Sequence, residues 1–239
     1  ALGEIVGMNS SIYTPSGGSI GLGFAIPVNR VKHVTEDLLA HGTVRRPWIG
    51  LKPEIPQGQS QRESLHSGVV VGAVVPGSPA EKAGIRRGDV LIRSRSRAIN
   101  NAYDWEAELL DLRVGDRVPL VLRRGTRELP ITVTIADLPE VSAAKVAVLK
   151  ELELVTLTPA IREDRGIRSA RGALIYNLSD RVSDELGLAK GDLIVQINRI
   201  PIETANDAAR ALDTSAGRAT IHMFFERGGR IYSTDFMIR

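Results

Sequence analysis

Two stretches of this chain are near copies of each other. Gly84-Ile85-Arg86-Arg87-Gly88-Asp89-Val90-Leu91-Ile92 matches Gly187-Leu188-Ala189-Lys190-Gly191-Asp192-Leu193-Ile194-Val195 at an offset of 103 residues, and Arg124-Gly125 falls on Arg227-Gly228 at the same offset. One repeat of domain size means two copies of a module, not a solenoid. The 239 residues leave room for two modules of about 100 residues and a remainder. The expected division is 1–42, 43–139 and 140–239, with the copies meeting near Pro139 to Ala144.

Local punctuation defines the elements. In the first copy Gly68 to Val75 reads as a buried strand, and Ser78-Pro79-Ala80-Glu81 opens a helix with a capping serine, proline at the first helical position and glutamate closing the box. Gly84 ends that helix, Gly88-Asp89 turns, and Val90-Leu91-Ile92 is a strand. Asn101 caps a helix to about Leu112, and Arg117–Arg124 with Arg127–Ala136 make a hairpin about Gly125. Trp105, Leu109 and Leu112 form the core-facing stripe of the helix, and Tyr103, Ala107 and Leu110 a second stripe. Ahead of the modules, Glu4–Ser11 and Ser19–Ile26 read as strands flanking the loop Tyr13 to Gly18. Val31, Val34 and Leu38 then line a helix that Gly42 ends. Two strands and a helix close no core of this kind alone, so residues 1–42 read as the tail of a larger domain. The start inside a hairpin leads us to expect a fragment whose targeting segment lay upstream.

Arg46-Pro47-Trp48-Ile49-Gly50-Leu51 carries the chemistry. Gly50 can adopt a positive φ, so the N–H groups from Ile49 to Leu51 can converge on one carboxylate, with Ile49 and Leu51 flanking a pocket for the neighbouring side chain. A free peptide C-terminus fits: its carboxylate sits in the turn and its backbone adds as a strand along the following segment. Leu51, Pro53 and Ile55 alternate there, and Pro53 has no N–H to donate, so the added ladder is expected to be short.

Several classes of function are excluded or disfavoured. A net charge of +3 and only 4% aromatic residues argue against a nucleic-acid stripe, so the pairs Arg45-Arg46, Arg86-Arg87 and Arg123-Arg124 read as solvated faces. The absence of cysteine excludes disulfides and thiolate metal sites, and no cofactor or metal is expected. No apolar run approaches the ~18 residues of a membrane span. His33, His41, His66 and His222 show no carboxylate or cysteine motif nearby and read as surface or packed residues.

The repeated module resembles a bacterial-type PDZ domain, opened by the carboxylate loop Trp48-Ile49-Gly50-Leu51. Gly7-Met8-Asn9-Ser10-Ser11-Ile12 and Ser16-Gly17-Gly18-Ser19-Ile20-Gly21-Leu22-Gly23-Phe24-Ala25-Ile26-Pro27 look like the end of the protease domain of the HtrA/Deg serine proteases. The resemblance covers the whole chain. It implies an α+β, mainly β architecture: a remnant of a trypsin-like β-barrel, then two tandem PDZ domains, each a small, partly open β-barrel with two helices. Gly21-Leu22-Gly23-Phe24 also spells a PDZ loop, but a helix and a domain boundary follow it. Ser16-Gly17-Gly18 mimics a nucleophile turn, but no histidine precedes it.

By the same resemblance, Trp48, Ile49, Gly50, Leu51, Tyr103, Ala107 and Leu110 bind peptide, while Asn9, Ser10, Ser11, Ile20 and Leu22 wall the cleft and specificity pocket of the intact protease. The implied partners are unfolded proteins and C-terminal peptides, with trimers or multiples of them, in the periplasm or cell envelope. The family's Gly-Asn-Ser-Gly-Gly turn and its histidine and aspartate have no counterpart in the sequence. The alternative is a non-enzymatic PDZ scaffold or chaperone. The copies should also differ: the offset of 103 carries Ile49, Gly50 and Leu51 onto Leu152, Glu153 and Leu154, and Tyr103, Ala107 and Leu110 onto Asn206, Arg210 and Asp213. The second copy is therefore expected not to capture apolar C-termini. These 239 residues alone should not hydrolyse casein, and serine-directed inhibition of a measurable activity in pure material would overturn that expectation.

Overall fold

The computed structural model describes residues 3–12, 21–54, 68–149, 151–215, 217 and 220–237. The loop Tyr13 to Gly18, Ile20, Ile55 and His66 lie outside them. β1 (Gly7–Ile12) and β2 (Gly23–Pro27) form an antiparallel pair with a bulge at Ser10, whose hydroxyl donates to the Phe24 carbonyl. α1 (Val28–His41) ends where expected, with Gly42 at φ +70° donating to the Leu38 carbonyl. Its expected apolar stripe is corrected. Leu38 is exposed, and the buried residue is Asp37, which accepts hydrogen bonds from the backbone N–H and guanidinium of Arg45.

The first module runs β3 (Leu51–Pro53), β4 (Val69–Val74), α2 (Pro79–Lys82), β5 (Val90–Ser94), β6 (Arg97–Ala98), α3 (Ala102–Leu110), β7 (Arg117–Arg124) and β8 (Arg127–Thr134). Its antiparallel sheet has the order β3-β4-β5-β7-β8, with β6 on β5. The caps follow the sequence. Ser78 Oγ accepts from Glu81 N, Asn101 Oδ1 accepts from Asp104 N, and Trp105 and Leu112 are buried. The Glu81 carboxylate accepts from Gly77 N rather than closing the box on Ser78, whose own N–H donates to the Val75 carbonyl. The hairpin strand stops at Thr134, and Ala136 bridges to Trp48 instead.

After α4 (Pro139–Ser142), the second module runs β9 (Lys145–Val148), β10 (Leu152–Thr156), α5 (Pro159–Arg165), β11 (Ala173–Leu178), α6 (Asp180–Leu186), β12 (Leu193–Ile197), β13 (Ile200–Pro201), α7 (Ala205–Ser215), β14 (Ile221–Arg227) and β15 (Arg230–Phe236). Its sheet order is β9-β10-β11-β12-β14-β15, with β13 on β12. From β10 onward it repeats the order of the first sheet, with the added helix α5. The fold is thus α+β: a small two-stranded sheet with a helix, then two antiparallel sheets of one design.

A buried ion pair explains why the repeat is strongest where it is. Asp89, 1% exposed, accepts from Arg124 Nε at 2.6 Å and Nη2 at 2.8 Å, and Nη2 also donates to the Gly84 carbonyl. Asp192, Arg227 and Gly187 make the same arrangement in the second module. Each clamp ties the glycine ending the short helix to the turn before the central strand and to the end of the hairpin. Arg124 is therefore no solvated face, and neither is Arg45. His222 is a surface residue and His33 a partly packed one, as expected, but each has a carboxylate beside it: β14–β15 register sets His222 opposite Asp235, Nδ1 to Oδ1 2.6 Å, and His33 lies 4.0 Å from Asp37.

Asp89→Asn leaves half of a buried pair and should cost about 3 kcal/mol. Trp48 and Trp105 both lie in the first module, so urea unfolding followed by tryptophan fluorescence should register this change more strongly than Asp192→Asn, which reaches Trp48 only through its bond to Asp164. The Arg124 hydrogen bonds hold the Asp89 carboxyl below the usual carboxylate range. A depressed folded-state pKa means that the stabilisation is full above the unfolded value of about 3.9 and is lost as pH falls through the folded one. Asp89→Asn should flatten the acid limb of the stability curve in that window.

Candidate functional site

The turn at Gly50 is clipped to its module through its carbonyls. The Ile49 carbonyl accepts from Ala80 N and the Gly50 carbonyl from Val75 N, both at 2.8 Å. Trp48 exchanges both backbone hydrogen bonds with Ala136. Gly50 stands at φ +76°, and a Cβ there would lie 2.2 Å from Ser78 Cβ. Among the described residues, the N–H groups of Ile49 and Gly50 have no acceptor, although both residues are buried. Buried donors need a partner. Two adjacent ones at a left-handed glycine form a nest that suits an anion.

β3 leaves this turn as the edge of its sheet, pairing only with β4 and bulging between Lys52 and Pro53. Among the described residues no strand pairs with its other edge, which could take an added strand. The flanks of the turn are engaged by the second module. Trp48 Nε1 donates to Asp164 Oδ1 at 2.7 Å, and Lys52 Nζ donates to the Glu163 carbonyl, both acceptors being on α5. α5 is held in turn by Arg165, which donates to Glu140 of α4 at 2.8 Å.

On α3 the structure separates the two stripes. Trp105 and Leu112 are in the core, while Tyr103, Ala107 and Leu110 stand on the outer face, Tyr103 77% exposed. In the second module α7 packs against β9, and Ala205, Ala209 and Leu212 share a core cluster with Val146 and Val148. The offset of 103 carries that face onto Ala102, Glu106 and Leu109, a quarter-turn or so from the Tyr103 stripe. Hydrophobicity alone could not choose between the faces, because an apolar stripe reads the same beside a ligand groove as beside solvent. Sequence reasoning also missed Glu108. It is 2% exposed, accepts from Ser94 Oγ and Arg95 Nε, and forms an ion pair with Arg97 Nη1 at 3.4 Å, which fixes α3 to β5 and β6.

Asn9, Ser10 and Ser11 are exposed on β1, and Leu22 is exposed just before β2. The expected match of Gly50 to Glu153 is corrected. Leu152 stands opposite Leu178 and the Glu151 carbonyl accepts from Ser179 N, as Leu51 stands opposite Val74 and the Gly50 carbonyl accepts from Val75 N. The counterpart of Gly50 is therefore Glu151, and Glu153 sits inside β10 opposite Ala147 on one side and Asn177 on the other.

A PDZ domain family model matches residues 52–135, and a second PDZ domain model matches residues 181–227. PDZ domains bind peptides, and these matches fall on the two sheets. The chain belongs to the HtrA/Deg serine protease family, as a region carrying two PDZ domains. It is 30% identical over 233 residues to a DegP-like periplasmic serine endoprotease of Rhizobium meliloti, covering 89% of this chain and 44% of that protein. Its DegP-like counterpart in Brucella suis biovar 1 is 29% identical over 234 residues, covering 92% and 44%. The periplasmic pH-dependent serine endoprotease DegQ of Escherichia coli is 29% identical over 230 residues, covering 95% and 49%. The chain thus spans about half the length or less of these curated relatives. None of its helices is long and apolar enough to cross a membrane among the described residues.

Gly50→Ala combines a strained φ with a clash against Ser78, and should destabilise the first module by about 3 kcal/mol in urea denaturation. A loss below about 0.5 kcal/mol would mean that the turn relaxes freely.

Proposed function

We propose that this chain is the peptide-capture region of an HtrA/Deg-type serine endopeptidase of envelope protein quality control. In this reading residues 43–139 form the module that takes C-terminal or unfolded segments, and residues 140–239 form a module that does not. The observation that carries it is the pair of N–H groups of buried Ile49 and Gly50, without an acceptor among the described residues, at the head of the β3 edge that no described strand pairs with. The ligand carboxylate would accept from that pair, its backbone would pair with Leu51 and Lys52, and its last side chain would rest between Ile49, Leu51 and Leu109. Tyr103 and Leu110 would stand at the rim of the groove.

Residues 1–42 would belong to the protease fold. Ile5, Val6, Met8, Ile12 and Phe24 are each more than half exposed, and they offer an apolar face for the rest of that domain to cover. Cleavage, trimer formation and residence in the periplasm belong to this proposal for the whole protein.

The test is a titration of the chain with a fluorescent hexapeptide ending in an apolar residue, as free acid and as amide. Edge addition over a short ladder should give a Kd of about 10 μM for the acid, and amidation should weaken binding tenfold or more, about 1.4 kcal/mol. Equal affinity of the two forms would remove the nest from the account.

A further inference from the structure

The corresponding edge of the second module is already covered. β9 pairs antiparallel with β10 on the side away from β11, with Val148 opposite Leu152, Ala147 opposite Glu153 and Val146 opposite Leu154. In element order and register β10 is the counterpart of β3, and α7 is the counterpart of α3. β9 therefore occupies the position where an extended ligand would join the first module, and α7 packs against it.

Direction and side chains agree with that placement. β9 runs antiparallel to β10 and towards the turn that opens it, as a peptide with its C-terminus in the Gly50 turn would run along β3. Val148 is 2% exposed and Val146 partly buried, both in the cluster that holds Ala205 and Leu212, while Lys145 and Ala147 face outward. A ligand would end in a carboxylate at this point. The chain instead continues through Leu149, at φ +52°, to Glu151, which pairs with Arg181. The carboxylate nest has no role where the occupant has no free end, and Glu151 can stand where Gly50 was required.

We infer that the second module is a strand-addition site filled in cis by Lys145–Val148, and that it accepts an extended peptide of the same alternating valine pattern from another chain only when this strand is released. The inference rests on the capture reading of the first module, since that defines the groove. A four-residue strand held by two valines opens at lower cost than the module unfolds, so release leaves a folded acceptor.

The test uses the whole chain and the hexapeptide Ala-Ala-Lys-Val-Ala-Val, the sequence of residues 143–148, with amide NMR shifts to locate binding. Val146→Ser with Val148→Ser should release β9 and give binding at Leu154, Val155 and Ala209 at least tenfold tighter than in the native chain. Ala147→Cys with Glu153→Cys places two cysteines directly opposite each other in a chain that otherwise has none, and the oxidised form should bind nothing there. Equal binding at β10 by native, released and locked chains would overturn the inference. So would a released chain that keeps protected β11 and α7 amides yet binds nothing. If the double serine variant fails to fold, native hydrogen exchange decides: Val146–Val148 amides should exchange at least tenfold faster than those of Leu174–Tyr176, and equal rates would sink the idea. Shifts at Gly50 and Leu51 in the same titration report on the first module separately, so failure there is distinguishable from failure here.

Discussion

A sheet that does not close on itself ends in an edge, and the N–H and C=O groups along that edge must be solvated, covered or paired. Each module here builds its sheet so that the edge falls beside its longer helix. Among the described residues, the first leaves that edge of β3 unpaired and sets two N–H groups without acceptors at its head. The second covers the same edge with its own preceding segment. One backbone design thus has two solutions to one constraint, and the choice is made within the few residues before the edge strand.

The clamp built from Asp89, Arg124 and Gly84 and its copy at Asp192, Arg227 and Gly187 keep that design constant. Each ties one short turn to a hairpin end 35 residues or more away in sequence, and the guanidinium fork fits both carboxylate oxygens and a carbonyl at once. Neither clamp touches the ligand edge. The scaffold is therefore held by one set of residues while the segment before the edge strand is free to diverge, as Gly50 and Glu151 have done.

Much of this was legible in the sequence where chemistry is local. The Ser78 and Asn101 caps, the helix-ending Gly42, the hairpin about Gly125 and the positive φ of Gly50 all follow from residue type and near neighbours. The partners separated in sequence were not. Arg124 gives no local sign that it will meet Asp89, Trp48 none that it will meet Asp164, and His222 meets Asp235 only through strand register. The 103-residue offset failed at the edge strand: Leu152 stands opposite Leu178 as Leu51 stands opposite Val74, so Gly50 corresponds to Glu151 and not to Glu153. The sequence could not show the two-residue slip, because β9 has no counterpart in the first module to be aligned with. Leu38 failed for another reason: with two strands for a partner, α1 has no core to bury it in, and the helix is pinned by Asp37 and Arg45 instead.

The bonds from Trp48 and Lys52 to α5 make the two modules a linked thermodynamic system. A ligand that enters the Gly50 turn without disturbing them adds its free energy to an unchanged contact. One that displaces either side chain must work against a hydrogen bond of about 1 kcal/mol net, close to a fivefold loss of affinity. Reciprocity then requires occupancy of the turn to weaken the docking of α5 by the same factor. The orientation of the second module is in this way part of the binding constant of the first.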